Sequence, residues 1–210
     1  VDSPLHFAHY KPWFMLHVIE QLDPAADAVF YFDPDIVVPT RWSYYEEWVG
    51  YGVALTEDNH YHIGSQHPLR HAWAQFAREH GLSVRHELSR FCNSGFLGVQ
   101  RAHASFLHTW CDLIRAVEPE SGSLTGWRRL DRTHRFWSAN QDTMNLAAMV
   151  TEHPVAIYGP NGMDFVPSAG RPIMSHAVDK PKPWRRRYLR DLLRGRAPSR
   201  PDRWFWRYAD

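Results

Sequence analysis

Two carboxylates one residue apart, Asp33 and Asp35, stand where the apolar run Ala28-Val-Phe-Tyr-Phe32 stops. Acids at this spacing can share a divalent cation, and such a cation can be held against a phosphate. Taken alone, the spacing equally fits a strand followed by a polar turn that uses Asp for its turn chemistry. Three further groups bear on the choice. Asn93-Ser94-Gly95 sets small polar residues inside a hydrophobic stretch. Gly95 permits close backbone approach and the Asn93 amide offers donors and acceptors suited to sugar hydroxyls, although the same residues also make an ordinary bulge. Asn140-Gln141-Asp142 opens a helix, where free backbone amides favour a bound polar ligand or simply a cap. His176 is followed six residues later by Lys182, on a proline-stiffened loop that ends at Trp184. An imidazole ligand and a phosphate-contacting lysine suit a diphosphate bridged to a metal.

These groups need a scaffold. Val29 to Phe32 are aromatic or β-branched and Pro34 ends regular pairing, so a buried strand delivers the acids to a sheet edge. Ligands of open α/β sheets bind beyond the carboxyl ends of strands. Around this strand the pattern predicts helices over Lys11–Leu22, from Thr40 or Ser43 through Trp48, Pro68–His80 closed by Gly81, Ala102–Val117, Ser138–Met149, and Trp184–Arg194 ending at Gly195. Strands are predicted at Gly52–Thr56, within Phe91–Gln100, at Val155–Tyr158 and at Ile173–Ser175. Residues 119–137 read as a loop with the character of a lid. This order implies an α/β or mixed sheet flanked by helices.

The series Asp33-Pro-Asp35, Asn93-Ser-Gly95, Gln141-Asp142 and His176 with Lys182-Pro-Trp184 resembles the GT-A glycosyltransferases, most closely the retaining family 8 group. The resemblance runs from about residue 10 to residue 190, and its specific part is some twenty residues. It implies Asp33, Asp35 and His176 as ligands of Mn2+ (or Mg2+), with Lys182 on the diphosphate of a nucleotide-sugar donor, in that family a UDP-sugar. It implies Asn93, Ser94, Gly95 and Trp184 in substrate binding, and Gln141 or Asp142 beside the anomeric carbon. Neither of these two is a convincing nucleophile, so front-face displacement assisted by the leaving phosphate is the expected route, aided by Lys182 and Arg185. Trp127, Trp137 or Trp184 would supply a platform for a saccharide acceptor. Two positions depart from the family pattern, Asp179 where Gly is usual and Asn140 where Asp is usual. Only 27 residues precede Ala28, so the resemblance implies a GT-A domain over residues 1–195 that lacks its N-terminal nucleotide-binding strand and, as a fragment, lacks turnover by itself. Residues 196–210 are read as a basic, aromatic extension.

Two other readings stay open. Haloacid-dehalogenase-like phosphatases also open on an apolar strand and Asp-x-Asp, with Asp33 as nucleophile and Asp35 as general acid. They need a late acidic pair, for which Gly162-Met163-Asp164 offers a single acid. A non-catalytic carbohydrate-binding protein is the third reading. His60, His62, His67 and His71 are read as surface or packing residues, with Asp58 the one carboxylate near them.

Composition sets broad limits. The chain has 210 residues with 44% hydrophobic and 22% charged, an ordinary globular balance with an unusual ten tryptophans. Cys92 and Cys111 give neither a disulfide framework nor metal spacing, and read as buried thiols of a reducing, cytoplasmic compartment. The formal charge of +1 is unevenly spread. From Lys180 to Arg207 there are eleven Lys or Arg against Asp191 and Asp202, a local +9 that leaves −8 for the rest. Such asymmetry points to an anionic partner: a substrate phosphate near the start of the run, or an acidic membrane surface along it. Nucleic acid fits less well because no binding motif accompanies the charge. Beyond Pro198 a solvated, disordered tail is the competing expectation.

Overall fold

The computed structural model describes residues 5–121, 124–126, 131, 133–165 and 172–209. Its centre is a four-stranded mixed sheet in the order β1-β4-β3-β5, from Ala28–Phe32 (β1), Val53–Thr56 (β3), Phe96–Gln100 (β4) and Val155–Tyr158 (β5). β4 runs antiparallel to both β1 and β3, whereas β3 and β5 are parallel. A separate two-stranded ribbon joins Ile36–Val37 (β2) to Ser175–His176 (β6). Helices flank the sheet, and the mixed α/β class expected from the sequence is the observed one.

Strand alternation explains why the acid-bearing run is apolar throughout. Val29 and Tyr31 face one core and Phe30 and Phe32 the other. β3 divides in the same way, Val53 and Leu55 against Ala54, and β4 sends Leu97 and Val99 to one side and Phe96 to the other. The larger core packs α1 (Phe7–His17), α3 (Pro68–Glu79), α4 (Ser105–Ser121) and α5 (Ala139–Val150) around the fully buried Trp73 and Trp110. The smaller one lies under α2 (Ser43–Val49) and is rich in aromatic residues, with Trp48 stacked on Phe96 at 4.9 Å between centroids.

Several element boundaries differ from the expectation. α1 starts at Phe7, before Lys11, because the His6 ring accepts the amide proton of Ala8, and it continues as a π-helix over Val18–Leu22. Neither Thr40 nor Ser43 caps α2; Trp42 holds that position without a side-chain bond. Phe91–Ser94 stays outside β4, and Cys92 makes an isolated bridge to Glu57. Ser138 precedes α5 but its hydroxyl makes no capping bond. β6 is shifted to Ser175–His176. The expected last helix is broken: Pro183–Arg185 form a 3-10 turn, Arg186 is extended and ion-paired to Asp202 at 2.8 Å, and α6 spans Tyr188–Leu193. Beyond Pro198 the chain forms α7 (Arg200–Tyr208) instead of a solvated tail. Ser199 and Asp202 close a capping box there, and the helix lies against β2 and β6. Gly81 takes its expected place after α3 with φ +74°, a conformation that favours glycine.

Candidate active site

Pairing register brings the acids to their neighbours. β1 and β4 end opposite each other at Phe32 and Phe96, which sets Gly95 beside the turn, where its carbonyl accepts the Asp33 amide at 2.7 Å. β2 then pairs Ile36 with His176, and the Asp35 carbonyl accepts the Ala177 amide at 3.0 Å. The result is a cluster of one ligand atom each from Asp33, Asp35 and His176, all within 4.8 Å of one another. His176 Nε2 lies 3.2 Å from Asp35 Oδ1 and 3.8 Å from Asp33 Oδ2. Its other ring nitrogen, Nδ1, is buried with no hydrogen-bond partner among the described residues. A side chain on Gly95 would strike this cluster: a Cβ there would lie 2.7 Å from His176 Cε1 and 3.0 Å from Asp33 Oδ2.

Two lysines neutralise the acids. Lys182 Nζ lies 2.5 Å from Asp35 Oδ2 and donates to the carbonyls of Ala177 and Val178 at 2.8 and 3.0 Å. Lys11 Nζ, buried, donates to Asp33 Oδ1 and to the Ser94 carbonyl, both at 2.8 Å, and the Tyr31 hydroxyl reaches the same Asp33 oxygen at 2.8 Å. Burial pushes the Asp35 carboxyl up, but the hydrogen bond and charge of His176, then those of Lys182, outweigh it and hold the group down at about 2. Burial lowers the Lys11 ammonium, against the opposing pull of Asp33. The Tyr31 hydroxyl is pushed up by burial and by the Asp33 charge, so it remains a proton donor. Two carboxylate oxygens and one imidazole nitrogen form a donor set that could hold a divalent metal ion.

The cluster lies on a cleft of about 660 Å3 whose lining includes Lys11, Tyr31, Asp58, His60, Asn93, Ser94, Gly95, Gln141 and Lys182. Part of its lining is a polar lattice around Asp58. The Asp58 Oδ2 atom accepts from Asn93 Nδ2 and Gln141 Nε2, each at 2.9 Å, and Oδ1 accepts the His60 amide at 3.0 Å and lies 2.9 Å from the His60 ring. Gln141 Oε1 accepts the Ser94 amide at 3.2 Å. Asn145 fixes this strand segment from α5, its amide bonding both the N–H and the carbonyl of Cys92 at 2.9 Å.

The structure thus brings together Asp33, Asp35, His176, Asn93, Ser94, Gly95, Gln141 and Lys182. Asp142 and Trp184 stand apart. The Asp142 carboxylate turns back to accept the Ser138 amide at 2.8 Å, and neither residue lines the cleft. Trp184 is half exposed and rests on Phe205 at 5.3 Å between centroids. Trp137 meets Tyr61, a lining residue, edge-on at 6.4 Å. Trp127 and residues 122–123, 128–130 and 132 of the stretch read as a lid lie outside the described residues, as do 166–171. Asp179 is exposed, and Asp164 is engaged by Arg200 and Ser175 rather than by the acid pair. His67 accepts the Leu69 amide at the start of α3.

Lys11, Tyr31 and Asp58 were not expected here, and His60, read as a surface or packing residue, is exposed and rests on Asp58. One signal was available for Lys11: it is the sole Lys or Arg before Arg41, set in an aromatic helix. For Asp58 the sequence offered only its closeness to His60, because a loop acid acquires its other partners only in space.

No family model matches the chain, and no curated protein does. Among solved structures it is similar to the apo form of the bifunctional glycosyltransferase WbbM, with a TM-score of 0.45 and 13% identity over 97% of this chain and 37% of that one. It is also similar to an active-site mutant of LgtC, with a TM-score of 0.44 and 14% identity over 90% of this chain and 63% of that one. The chain therefore spans about a third of the first and less than two thirds of the second.

Proposed function

We propose that this chain is the sugar-transfer core of a metal-dependent glycosyltransferase of the GT-A type that takes a nucleotide-diphosphate sugar, a UDP-sugar by resemblance, and transfers the sugar to a saccharide. The observation that carries this reading is the convergence of Asp33, Asp35 and His176 within 4.8 Å beside Lys182, at the end of a cleft walled by amides. Bound to these three residues, a divalent cation would act as a Lewis acid toward a departing diphosphate.

The chain's own residues supply the rest. Lys182 is anchored by two carbonyls and places a cation where a leaving phosphate carries its charge. Asn93 and Gln141 are oriented by Asp58 and present their remaining hydrogen-bonding capacity to sugar hydroxyls. Gln141, rather than Asp142, is the member of that pair facing the reacting carbon, because the Asp142 carboxylate is engaged at the start of α5. With an amide in that position no enzyme nucleophile is available from the pair. This favours front-face displacement with retention, in which the leaving phosphate takes the acceptor proton.

Isothermal titration with UDP in the presence of Mn2+ tests the reading. Binding is expected to require the metal and to fall at least about 100-fold in Asp35→Ala, in line with the loss of a buried charged ligand. UDP binding that is equal without metal and unaffected by Asp35→Ala would reject it.

A further inference from the structure

The C-terminal charge run acquires a definite shape in the structure. None of the six residues of α6 is buried, and Leu189, Leu192 and Leu193 are 84%, 63% and 90% exposed. Their spacing of three and four residues puts them on one face of the helix. Trp206, 52% exposed, stands beside the start of this helix, its indole N–H donating to the Tyr188 hydroxyl at 2.9 Å. Single exposed leucines are ordinary, but three on one turn beside an exposed tryptophan form a patch that calls for a partner.

Charge identifies that partner. Arg187 and Arg194 stand at the two ends of α6, Arg190 lies between them, and Arg185 and Arg196 flank it; all five are exposed. The one acid of the segment, Asp191, is two residues from Leu189 and lies on the side away from the leucines together with Arg187 and Arg194, whose longer side chains can reach back toward the rim. Guanidinium groups around a small apolar tip can reach lipid phosphates while the leucines enter the acyl boundary, and tryptophan favours the same depth. The −8 carried by the rest of the chain is repelled by an acidic leaflet, which orients this end toward it. The segment is also tied to the body: the Tyr188 hydroxyl donates to the Pro183 carbonyl at 3.0 Å, and Arg186 pairs with Asp202 at 2.8 Å.

We propose that α6, with Trp206 and its surrounding arginines, is a docking surface for an anionic lipid bilayer. Leu189, Leu192 and Leu193 enter the interface and Arg187, Arg190 and Arg194 bind headgroup phosphates. The surface is independent of the transferase reading, and its test uses no nucleotide.

Flotation of the full chain with phosphatidylcholine vesicles, with and without phosphatidylglycerol, tests the proposal. The chain is expected to float only with phosphatidylglycerol present and to be released by high salt. Replacing Leu189, Leu192 and Leu193 together by Ser should weaken binding at least about tenfold. Arg190→Gln and Arg194→Gln, which leave the leucines in place, should each weaken it about fivefold. Circular dichroism of each variant controls for folding. Three results would overturn the proposal: no flotation with either vesicle, equal flotation with both, or leucine and arginine variants that float as the parent does. A concentration-dependent dimer that the leucine substitutions abolish, without vesicle binding, would assign the patch to a second copy of this chain instead.

Discussion

Lys11 gives the acid pair its ligand-free partner. Buried and bonded to Asp33 and to the Ser94 carbonyl, it supplies a positive charge close to the place where a cation would bind, and Lys182 does the same for Asp35. Removing one partner of a buried pair leaves the other charge uncompensated. Lys11→Met is therefore expected to lower stability without metal by about 1–2 kcal/mol, less than for a fully buried pair because Asp33 is partly exposed and keeps the Tyr31 hydroxyl. Mn2+ should restore it, so the metal-induced rise in Tm should be larger in the variant than in the parent. Thermal unfolding with and without Mn2+ measures both, and equal rises would show that Lys11 and the metal do not share the Asp33 charge. At this scale the convergence of Asp33, Asp35 and His176 beside Lys182 was legible from residue type and order. Lys11, Tyr31, Asp58 and His60 were not, because their roles depend on partners 22 to 83 residues away, or on a neighbour whose own role is set by them.

At the level of elements, the site is made by three junctions: the end of β1 against the start of β4, β2 against β6, and the start of α5 against the Cys92–Gly95 segment. The third rests on Asn145, which is fully buried and satisfies both backbone groups of Cys92. Asn145→Leu keeps the volume and strands the N–H and the carbonyl. The expected cost is about 2–6 kcal/mol, at about 1–3 kcal/mol for each of the two unsatisfied groups. Urea denaturation should show a lower midpoint with an unchanged slope, and an unchanged midpoint would mean that the segment holds its place without the clamp. The strand cores and most helices were readable from periodicity and from breakers such as Asp23-Pro24 and Gly81. Their ends were less so, since the His6 cap and the Arg186–Asp202 pair that interrupts the last helix use residues that carry no standard boundary signal.

For the molecule as a whole, α7 matters more than its composition suggests. It brings Arg200 to the buried Asp164 at 3.2 Å and Asp202 to Arg186, and it lies on the ribbon that carries His176. A chain ending at Pro198 would leave Asp164 without Arg200 and uncover β6. Such a truncation should lose about 3 kcal/mol, or about 6–12 °C in Tm for a domain of this size, and should bind Mn2+ more weakly. A truncated chain with unchanged Tm and metal affinity would make α7 a dispensable appendage. No helix among the described residues is long and apolar enough to cross a membrane.

The sequence by itself determined the mixed α/β class and the positions of the acids, because alternation along buried strands and the arrest of strand pairing at proline are local properties written into neighbouring residues. It also marked Asn93–Gly95, Gln141, His176 and Lys182 as groups to be brought together. Tertiary structure alone decided that Asp142 serves the start of its own helix while Gln141 faces the cleft, that Trp184 lies outside it, and that a buried lysine from the first helix sits on Asp33. Those outcomes depend on strand register and on which buried polar groups find one another, and hydrogen-bond satisfaction in a core is a property of the assembled fold rather than of any segment of the chain.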